Sequence, residues 1–273
     1  DLKSYTDTAY HNEELKSLTR YRFDKVRERA KLKQSVSRLV TILFPELEKL
    51  VPSLHSVSVY ALFSEYPGAK QISEAHLTKL TNLLSIASKG HYGKEKAIQI
   101  REAAKSSIGS VMPAKSLELK HTIKLIKELT SEIDEIEDSI QQIMDELHPP
   151  ILSIPGVGIQ SAAMILAEIG DFSNFESPDK ILAYAGCSPS TYQSGKLTNC
   201  YAHMEKRGSR YLRYALYNAT KYVCHWNPVF AKYLAKKRAE GKHYNVALSH
   251  ATKKLVRLIY ALQKSGKAYL TAA

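Results

Sequence analysis

The chain has 273 residues, of which 44% are hydrophobic and 24% are charged. This balance is typical of a folded globular protein, and it excludes wholesale disorder, a collagen-like repeat and a disulfide scaffold. No run approaches the ~18 to 20 apolar residues that a membrane helix needs, and the charged N-terminal residues exclude an apolar signal core. The three cysteines form no CxxC pair, which indicates neither a disulfide framework nor a zinc ribbon, so a reducing cytoplasm is expected.

The net charge of +12 is concentrated in the C-terminal part of the chain. Residues 151–273 hold 17 basic and 6 acidic side chains, whereas residues 51–150 hold 11 and 13. A basic half beside a nearly neutral one favours binding of a polyanion, because each cation that meets a phosphate releases condensed counterions. A basic surface that serves only solubility is the alternative.

The first 150 residues are predicted to be helical, since leucine, isoleucine and alanine recur at three- and four-residue spacing. A long helix is predicted over residues 11–44 and is stopped by Pro45. Its many cations are compatible with a solvated face or with a nucleic-acid contact. Residues 52–113 break into shorter helical pieces in which we find no chemistry. Because residue 1 is Asp rather than Met, we expect the chain to be truncated at its N terminus.

A heptad repeat follows. Its apolar seam consists of Leu119, Thr122, Ile126, Leu129, Ile133, Ile136, Ile140, Ile143 and Leu147. This spacing predicts a coiled coil of about four heptads. The flanking residues are acidic, which disfavours a parallel self-pair, so the helix either packs antiparallel against the basic helix of the same chain or meets another subunit. His148-Pro149-Pro150 marks the boundary between a helical linker, residues 1–150, and a C-terminal domain, residues 151–273.

The C-terminal domain opens with a tight turn that leads into a helix. Gly156 and Gly158 permit close backbone approach there, and the N–H groups of the helix start can receive a phosphate oxygen, as in helix-hairpin-helix modules. A plain helix–helix turn that is packed through small residues is the alternative.

Two polar segments carry the candidate chemistry. Ser194 stands beside Gly195 and Lys196, where a serine nucleophile would have an exposed position and nearby positive charge, although Ser-Gly is also an ordinary turn. A basic turn leading into a helix supplies four candidate phosphate contacts: Lys206, Arg207, Arg210 and Arg213. The histidines nearby lack metal-ligand spacing, so no metal site is predicted.

Four motifs in order resemble the C-terminal transposase domain of the insertion-sequence one-ten family: IPGVG, GDF, LAYAGCSPSTYQSGK and KRGSRYLRYALYNA. These are the DEDD-plus-serine transposases, described as bridge-RNA-guided recombinases and related to Piv-type DNA invertases. The resemblance covers about residues 150–262. It implies that Ser194 is the nucleophile that becomes covalently joined to cleaved DNA. It also implies that Mg2+ is held by four acidic residues of a resolvase-like (RuvC-like) domain, none of which is assigned in this chain.

The resemblance further implies the partners, namely donor and target DNA, a structured guide RNA and further copies of the chain, at the nucleoid of a bacterial cytoplasm. Two departures stand out: Asp1 and Asp7 are six apart rather than three, and residues 199–202 lack a glycine usual in the family. We therefore predict a mainly α-helical transposase fragment that binds DNA but does not recombine it alone. A non-catalytic helix-hairpin-helix DNA-binding module is the alternative.

The charge distribution makes a first testable prediction. Binding of the chain to duplex DNA should weaken steeply between ~50 and ~200 mM salt, because counterion release supplies the affinity. Fluorescence anisotropy of a labelled duplex measures this. Salt-insensitive self-association without polyanion affinity would instead identify a coiled-coil assembly protein.

Overall fold

The computed structural model of the protein describes residues 7–189, 193–194, 197–198 and 203–270. Within these residues the chain forms twelve α-helices and one short antiparallel ribbon, which confirms the mainly α class. The helices are α1 (Asp7–Leu43), α2 (Leu47–Leu50), α3 (Val57–Glu65), α4 (Ala69–Glu74), α5 (Leu77–Ala87), α6 (Lys94–Lys105), α7 (Pro113–Leu147), α8 (Ile159–Ile169), α9 (Pro178–Tyr184), α10 (Arg210–Trp226), α11 (Pro228–Ala239) and α12 (Tyr244–Ser265). The ribbon pairs β1 (Gln193–Ser194) with β2 (Leu197–Thr198).

The chain divides into two compact units. The linker unit is Phe23–Glu135, and the C-terminal unit comprises the described residues up to Arg22 together with those from Ile136 on. Helices α1 and α7 contribute residues to both units. The predicted domain boundary at residue 150 stays a prediction.

The linker unit has an apolar core built from α1 to α7. Phe44, Leu62 and Phe63 are among its fully buried side chains. Helix α1 ends at Leu43, close to the predicted position, because Pro45 lacks the N–H that a further helical turn needs. The described pieces between α1 and α7 are short helices, as the scattered proline and glycine residues predict.

The heptad seam of α7 is buried over most of its length, from Leu119 to Ile140. Beyond that point the buried residue is Met144, four residues after Ile140, whereas Ile143 is only half-buried. A straight α-helix has 3.6 residues per turn, so a strict seven-residue repeat drifts off its face unless the helix supercoils.

Helices α1 and α7 pair antiparallel within the chain, which is one of the two predicted arrangements. In the linker unit Lys25 Nζ lies 2.6 Å from Glu132 Oε2, and Arg29 Nη1 donates to Thr130 Oγ1 at 3.1 Å. Residue numbers rise along α1 as they fall along α7. The cations of α1 therefore meet carboxylates of the acidic helix, and oligomerisation stays a prediction.

The C-terminal unit is organised around α10, which packs against α8, α11 and α12. Helix α8 is almost entirely buried, with Ala162 through Ile169 all inside the unit. Thr252 of α12 donates to Thr220 of α10 at 3.1 Å, so a hydroxyl pair joins these helices in the core. Across the described part of the chain, no helix combines the length and apolarity needed to cross a bilayer.

Gly109 provides a test of the linker unit. A Cβ built there would lie 2.4 Å from the carbonyl oxygen of Leu43, and the next residue, Ser110, donates to Ile42 O at 2.8 Å. Because the obstacle is backbone, we expect Gly109→Ala to lower the free energy of unfolding by about 2 kcal/mol. Urea unfolding followed by circular dichroism measures this. The control is Gly93→Ala, where a Cβ meets no atom within 4 Å; equal losses in both variants would contradict the prediction.

Candidate functional site

The turn before α8 is built on close backbone contact. Gly156 has φ +94°, and a Cβ on it would lie 2.6 Å from the carbonyl group of Tyr222 in α10. Both the positive φ and the contact require glycine. At Gly158 nothing lies within 4 Å of a Cβ, and the residue caps α8 in an extended conformation. The packing role is therefore observed at Gly156, and the phosphate role of both glycines stays a prediction.

A cleft of about 470 Å3 lies between this turn and α10. Its outer wall is formed by Tyr222 and Trp226, whose side chains are 60% and 64% exposed. Because the capping residue Gly158 has no side chain, nothing on it accepts hydrogen bonds from the first N–H groups of α8. The cleft thus combines a helix N terminus with two exposed aromatic rings.

Two segments of the C-terminal unit are joined edge to edge, and we call them together the clamp: residues 184–189 and residues 203–209. Backbone hydrogen bonds connect them at 2.9 to 3.1 Å, from Ser209 N to Tyr184 O, from Lys206 N to Gly186 O and from Glu205 N to Ser188 O. The clamp holds both ends of the segment that contains the predicted nucleophile.

Two glycines make the clamp possible. Gly208 has φ +101°, and a Cβ on it would lie 2.0 Å from Tyr184 O. Gly186 has φ +64°, and its Cβ would lie 2.1 Å from Arg207 O. Any side chain at either position would force the two backbones apart. These glycines were not among the sequence candidates, although both lie in the motifs that carry the family resemblance.

Between the two halves of the clamp, Ser194 pairs with Leu197 in the β1–β2 ribbon. The side chain of Ser194 and the whole of Lys196 lie outside the described residues. The structure therefore describes the backbone pairing of Ser194, and the role of its side chain stays a prediction.

The four predicted phosphate contacts differ in their surroundings. Lys206 and Arg207 are exposed at the tip of the clamp, and Lys206 adopts φ +57°, which is uncommon for a residue with a side chain. Arg210 is also exposed and donates to the Tyr211 hydroxyl at 2.8 Å. Arg213 instead reaches back, and its Nη1 donates to Ala185 O at 2.8 Å and to the carbonyl of Lys206 at 3.3 Å. Arg213 thus ties α10 to both halves of the clamp.

A buried carboxylate that sequence reasoning missed lies beneath this surface. The side chain of Glu168 is fully buried in α8, and it accepts from Arg20 Nε at 2.6 Å and from Arg20 Nη2 at 3.1 Å. Ser209 Oγ donates to it at 2.6 Å and also caps α10 by accepting from Leu212 N. The guanidinium of Arg20 lies 4.8 Å from the ring centroid of Tyr211. We call Glu168, Arg20 and Ser209 the buried triad.

Glu168 and Arg20 of the buried triad are both ionised at neutral pH. Burial by itself raises the pKa of Glu168, but the hydrogen bonds from Arg20 and Ser209 outweigh it, so the pKa lies below the ordinary value of a glutamate. The hydrogen bond to Glu168 raises the pKa of Arg20 in turn. Glu168 is the only charged residue of α8, and this is the one sequence signal that points to the buried triad. Nothing in the sequence marks Arg20 as its partner.

A second cavity, of about 460 Å3, lies beside the clamp between α9 and α12. It is lined by Cys187, His203 and His250 among others. Burial raises the pKa of Cys187 to about 11, so this thiol is protonated at neutral pH. Among the residues that the structure describes, no three His, Cys, Asp or Glu side chains form a group suited to a metal ion.

The C-terminal unit is thus a helical unit that presents exposed cations next to the segment of Ser194, and a comparison with known families places it beside transposases. Residues 149–235 match the family described as "Transposase IS116/IS110/IS902 family". This region is therefore similar to the transposase domain of that family, in agreement with the resemblance inferred from the sequence.

Three relatives illustrate the match. The chain is 24% identical over 282 residues to "Insertion element IS110 uncharacterized 43.6 kDa protein" of Streptomyces coelicolor, covering 98% of this chain and 67% of that protein. It is 25% identical over 263 residues to "Insertion element IS116 uncharacterized 44.8 kDa protein" of Streptomyces clavuligerus, covering 94% and 65%. It is 28% identical over 120 residues to the "Pilin gene-inverting protein" of Moraxella bovis, covering 44% and 37%. The chain thus spans about two thirds of the insertion-element proteins that it matches.

The buried triad makes a testable prediction. A carboxylate whose pKa is lowered by folding stabilises the fold above its unfolded pKa, near 4.3, and loses that contribution as the pH falls through the folded pKa. We expect Glu168→Gln to lower the free energy of unfolding by about 2 kcal/mol at neutral pH, a modest value because Arg20 is 41% exposed. The difference from wild type should shrink as the pH falls below about 4.

Urea unfolding at neutral and acid pH measures the effect. Glu176→Gln is the matched control, since Glu176 is exposed and should change little at either pH. A loss in Glu168→Gln that is the same at both pH values would contradict an ionised carboxylate in the triad.

Proposed function

We propose that this chain acts in DNA strand cleavage and transfer during transposition of an insertion sequence, with Ser194 as the nucleophile. The observation that carries the proposal is the clamp, because it brings both ends of the Ser194 segment to a turn that presents Lys206 and Arg207 to solvent. The family match and the name of the gene-inverting relative support recombination as the activity.

In the proposed step the hydroxyl of Ser194 gives its proton to a base or to water as its oxygen attacks a phosphodiester phosphorus. A bond forms between the serine oxygen and phosphorus, and the bond from phosphorus to the 3′ oxygen breaks. The 3′ oxygen takes up a proton and leaves as a hydroxyl, and the 5′ end stays attached as a phosphoserine. The reverse attack by another 3′ hydroxyl rejoins the strands and frees the serine.

The four predicted phosphate contacts and Lys196 would have two different roles in this step. Lys206, Arg207 and Arg210 are exposed and would stabilise the negative charge that grows on the phosphate oxygens during the attack. Arg213 would act indirectly, since its guanidinium holds the clamp through backbone carbonyls. Lys196 would join the first group because it stands two residues from Ser194 in the sequence.

The cleft at the start of α8 would hold DNA without reading its sequence. Free N–H groups at a helix N terminus bind phosphate oxygens, and exposed aromatic rings such as Tyr222 and Trp226 stack on bases or sugars. This is the role proposed for Gly156 and Gly158, which keep the backbone within reach of a ligand.

The proposal that Mg2+, a guide RNA and further copies of the chain take part rests on the family resemblance. Bound Mg2+ supplies charge stabilisation at the reacting phosphate in such enzymes. The residues described here do not assemble a set of ligands for it, so we derive no step through the ion. The RNA would be recognised through the same phosphate chemistry as the DNA.

The nucleophile assignment is tested by trapping the covalent intermediate. In the full-length gene product with donor and target DNA, Ser194→Ala should abolish the covalent protein–DNA adduct, because it removes the oxygen that forms the proposed phosphoserine bond, while DNA binding should change less than about twofold. Denaturing gel electrophoresis of labelled DNA detects the adduct.

Ser188→Ala is the matched control, because it removes a hydroxyl six residues away, within the clamp, while it keeps the backbone carbonyl that accepts from Glu205 N, and it should leave the adduct intact. Adduct formation that survives Ser194→Ala would reject the assignment. A complete absence of adduct in the wild-type protein, with DNA binding retained, would favour the non-catalytic DNA-binding module instead.

A further inference from the structure

The linker unit contains a cationic site of its own. It is a pocket of about 320 Å3 between α1, α3 and α7, which we call the linker pocket. Its polar lining consists of Arg29, Lys33, His55, Tyr60, Lys127 and Thr130. All of these residues belong to the linker unit.

The three cations of the linker pocket have no counterion in the part of the chain that the structure describes. Among the described residues, none of Arg29, Lys33 and Lys127 forms an ion pair, although Lys25, one helical turn before Arg29, is paired with Glu132. Arg29 donates to the hydroxyl of Thr130, and Lys127 donates to the Ser64 hydroxyl at 3.0 Å. These neutral acceptors satisfy hydrogen bonds but do not compensate charge.

The remaining polar groups of the linker pocket stay neutral at physiological pH. Tyr60 is buried, and burial raises its pKa to about 12. Burial lowers the pKa of His55, and the nearby charge of Lys33 lowers it further. The two side chains contact each other, with His55 Nδ1 3.1 Å from the Tyr60 hydroxyl. The lining therefore carries three positive charges and no negative one.

Three uncompensated cations around a partly enclosed space attract an anion more strongly than they would on an open surface, because screening is weaker there. Besides the apolar side chains of Val57 and Ile126, the lining supplies cationic hydrogen-bond donors and neutral hydroxyl or imidazole groups. This is the chemistry that recognises phosphate oxygens. The volume lies at the small end of ligand pockets and exceeds what a single phosphate needs.

We propose that the linker pocket binds a phosphate group, held by Arg29, Lys33 and Lys127. The group is either a backbone phosphate of a nucleic acid or a free phosphate ion, and the same three cations serve both. Neither the sequence motifs of the C-terminal domain nor the role of Ser194 enters this proposal, so it stands or falls separately from the proposed function.

The first arm of the test uses inorganic phosphate alone. Titration of the full chain, followed by the NMR resonances of the His55 ring, should give saturable shifts in the wild type. Lys33→Gln and Lys127→Gln should each weaken the affinity by about fivefold or more. Lys124→Gln is the matched control, because Lys124 is exposed on α7 and does not line the pocket.

The second arm uses a nucleic-acid duplex that lacks terminal phosphates. If a backbone phosphate occupies the pocket, the duplex shifts the same His55 resonances, and each pocket variant lowers the slope of log affinity against log salt by ~1 relative to Lys124→Gln. If only inorganic phosphate produces the shifts, the site takes the free ion.

The proposal is overturned if neither probe shifts the His55 resonances, or if the pocket variants match Lys124→Gln in both arms. Circular dichroism checks that each variant is folded. Arg29→Lys keeps the charge, and it serves as a further variant should either Lys→Gln change unfold the chain. It should retain phosphate binding with an affinity closer to the wild type than that of Lys33→Gln.

Discussion

The C-terminal unit depends on keeping one buried carboxylate ionised. An unpaired charge in the position of Glu168 would be destabilising, and Arg20 stabilises the fold by compensating that charge while Ser209 completes the hydrogen bonding. Because Ser209 also caps α10, its hydrogen bond to Glu168 fixes where that helix begins. The basic turn with Lys206 and Arg207 directly precedes Ser209, so the contact between Ser209 and Glu168 also positions this turn. A helix near the start of the chain thereby sets the geometry of a surface encoded almost 190 residues later.

The clamp requires particular residues at a few positions, whereas the segment between its two halves can differ in sequence. Gly186 and Gly208 let two backbones approach so closely that no other residue fits, and Arg213 bonds to carbonyls on both sides. Such a frame fixes the two chain positions between which the connecting segment runs, and the sequence of a segment carried on a rigid scaffold can vary. The unusual residues between the Ser-Gly turn and the basic turn of this chain are therefore compatible with an intact clamp.

Local features of the fold were predictable from the sequence, and contacts between distant residues were not. The end of α1 near Pro45 and the buried stripe of α7 follow from proline chemistry and apolar spacing, which act within a few residues. The heptad repeat predicts that Ile143 is buried, whereas the buried residue is Met144. The prediction differs because a strict seven-residue repeat stays on one face only if the helix supercoils. The sequence predicts Arg213 as a phosphate contact, whereas in the structure it donates to the carbonyls of Ala185 and Lys206, and the bond to Ala185 depends on a fold that brings together residues 28 positions apart. Arg20 and Glu168, 148 positions apart, are the extreme case.

The exposed ring at the mouth of the α8 cleft gives this protein a built-in optical reporter. Trp226 is the sole tryptophan of the chain, it is 64% exposed, and its ring meets that of His225 edge-on at 4.9 Å between centroids. Its emission therefore comes from a single known place. A molecule that enters the cleft and covers the indole alters the intensity and wavelength of that emission, so occupancy can be followed without attaching a dye. Events at the linker pocket lie in the other compact unit, and they should leave the same signal unchanged.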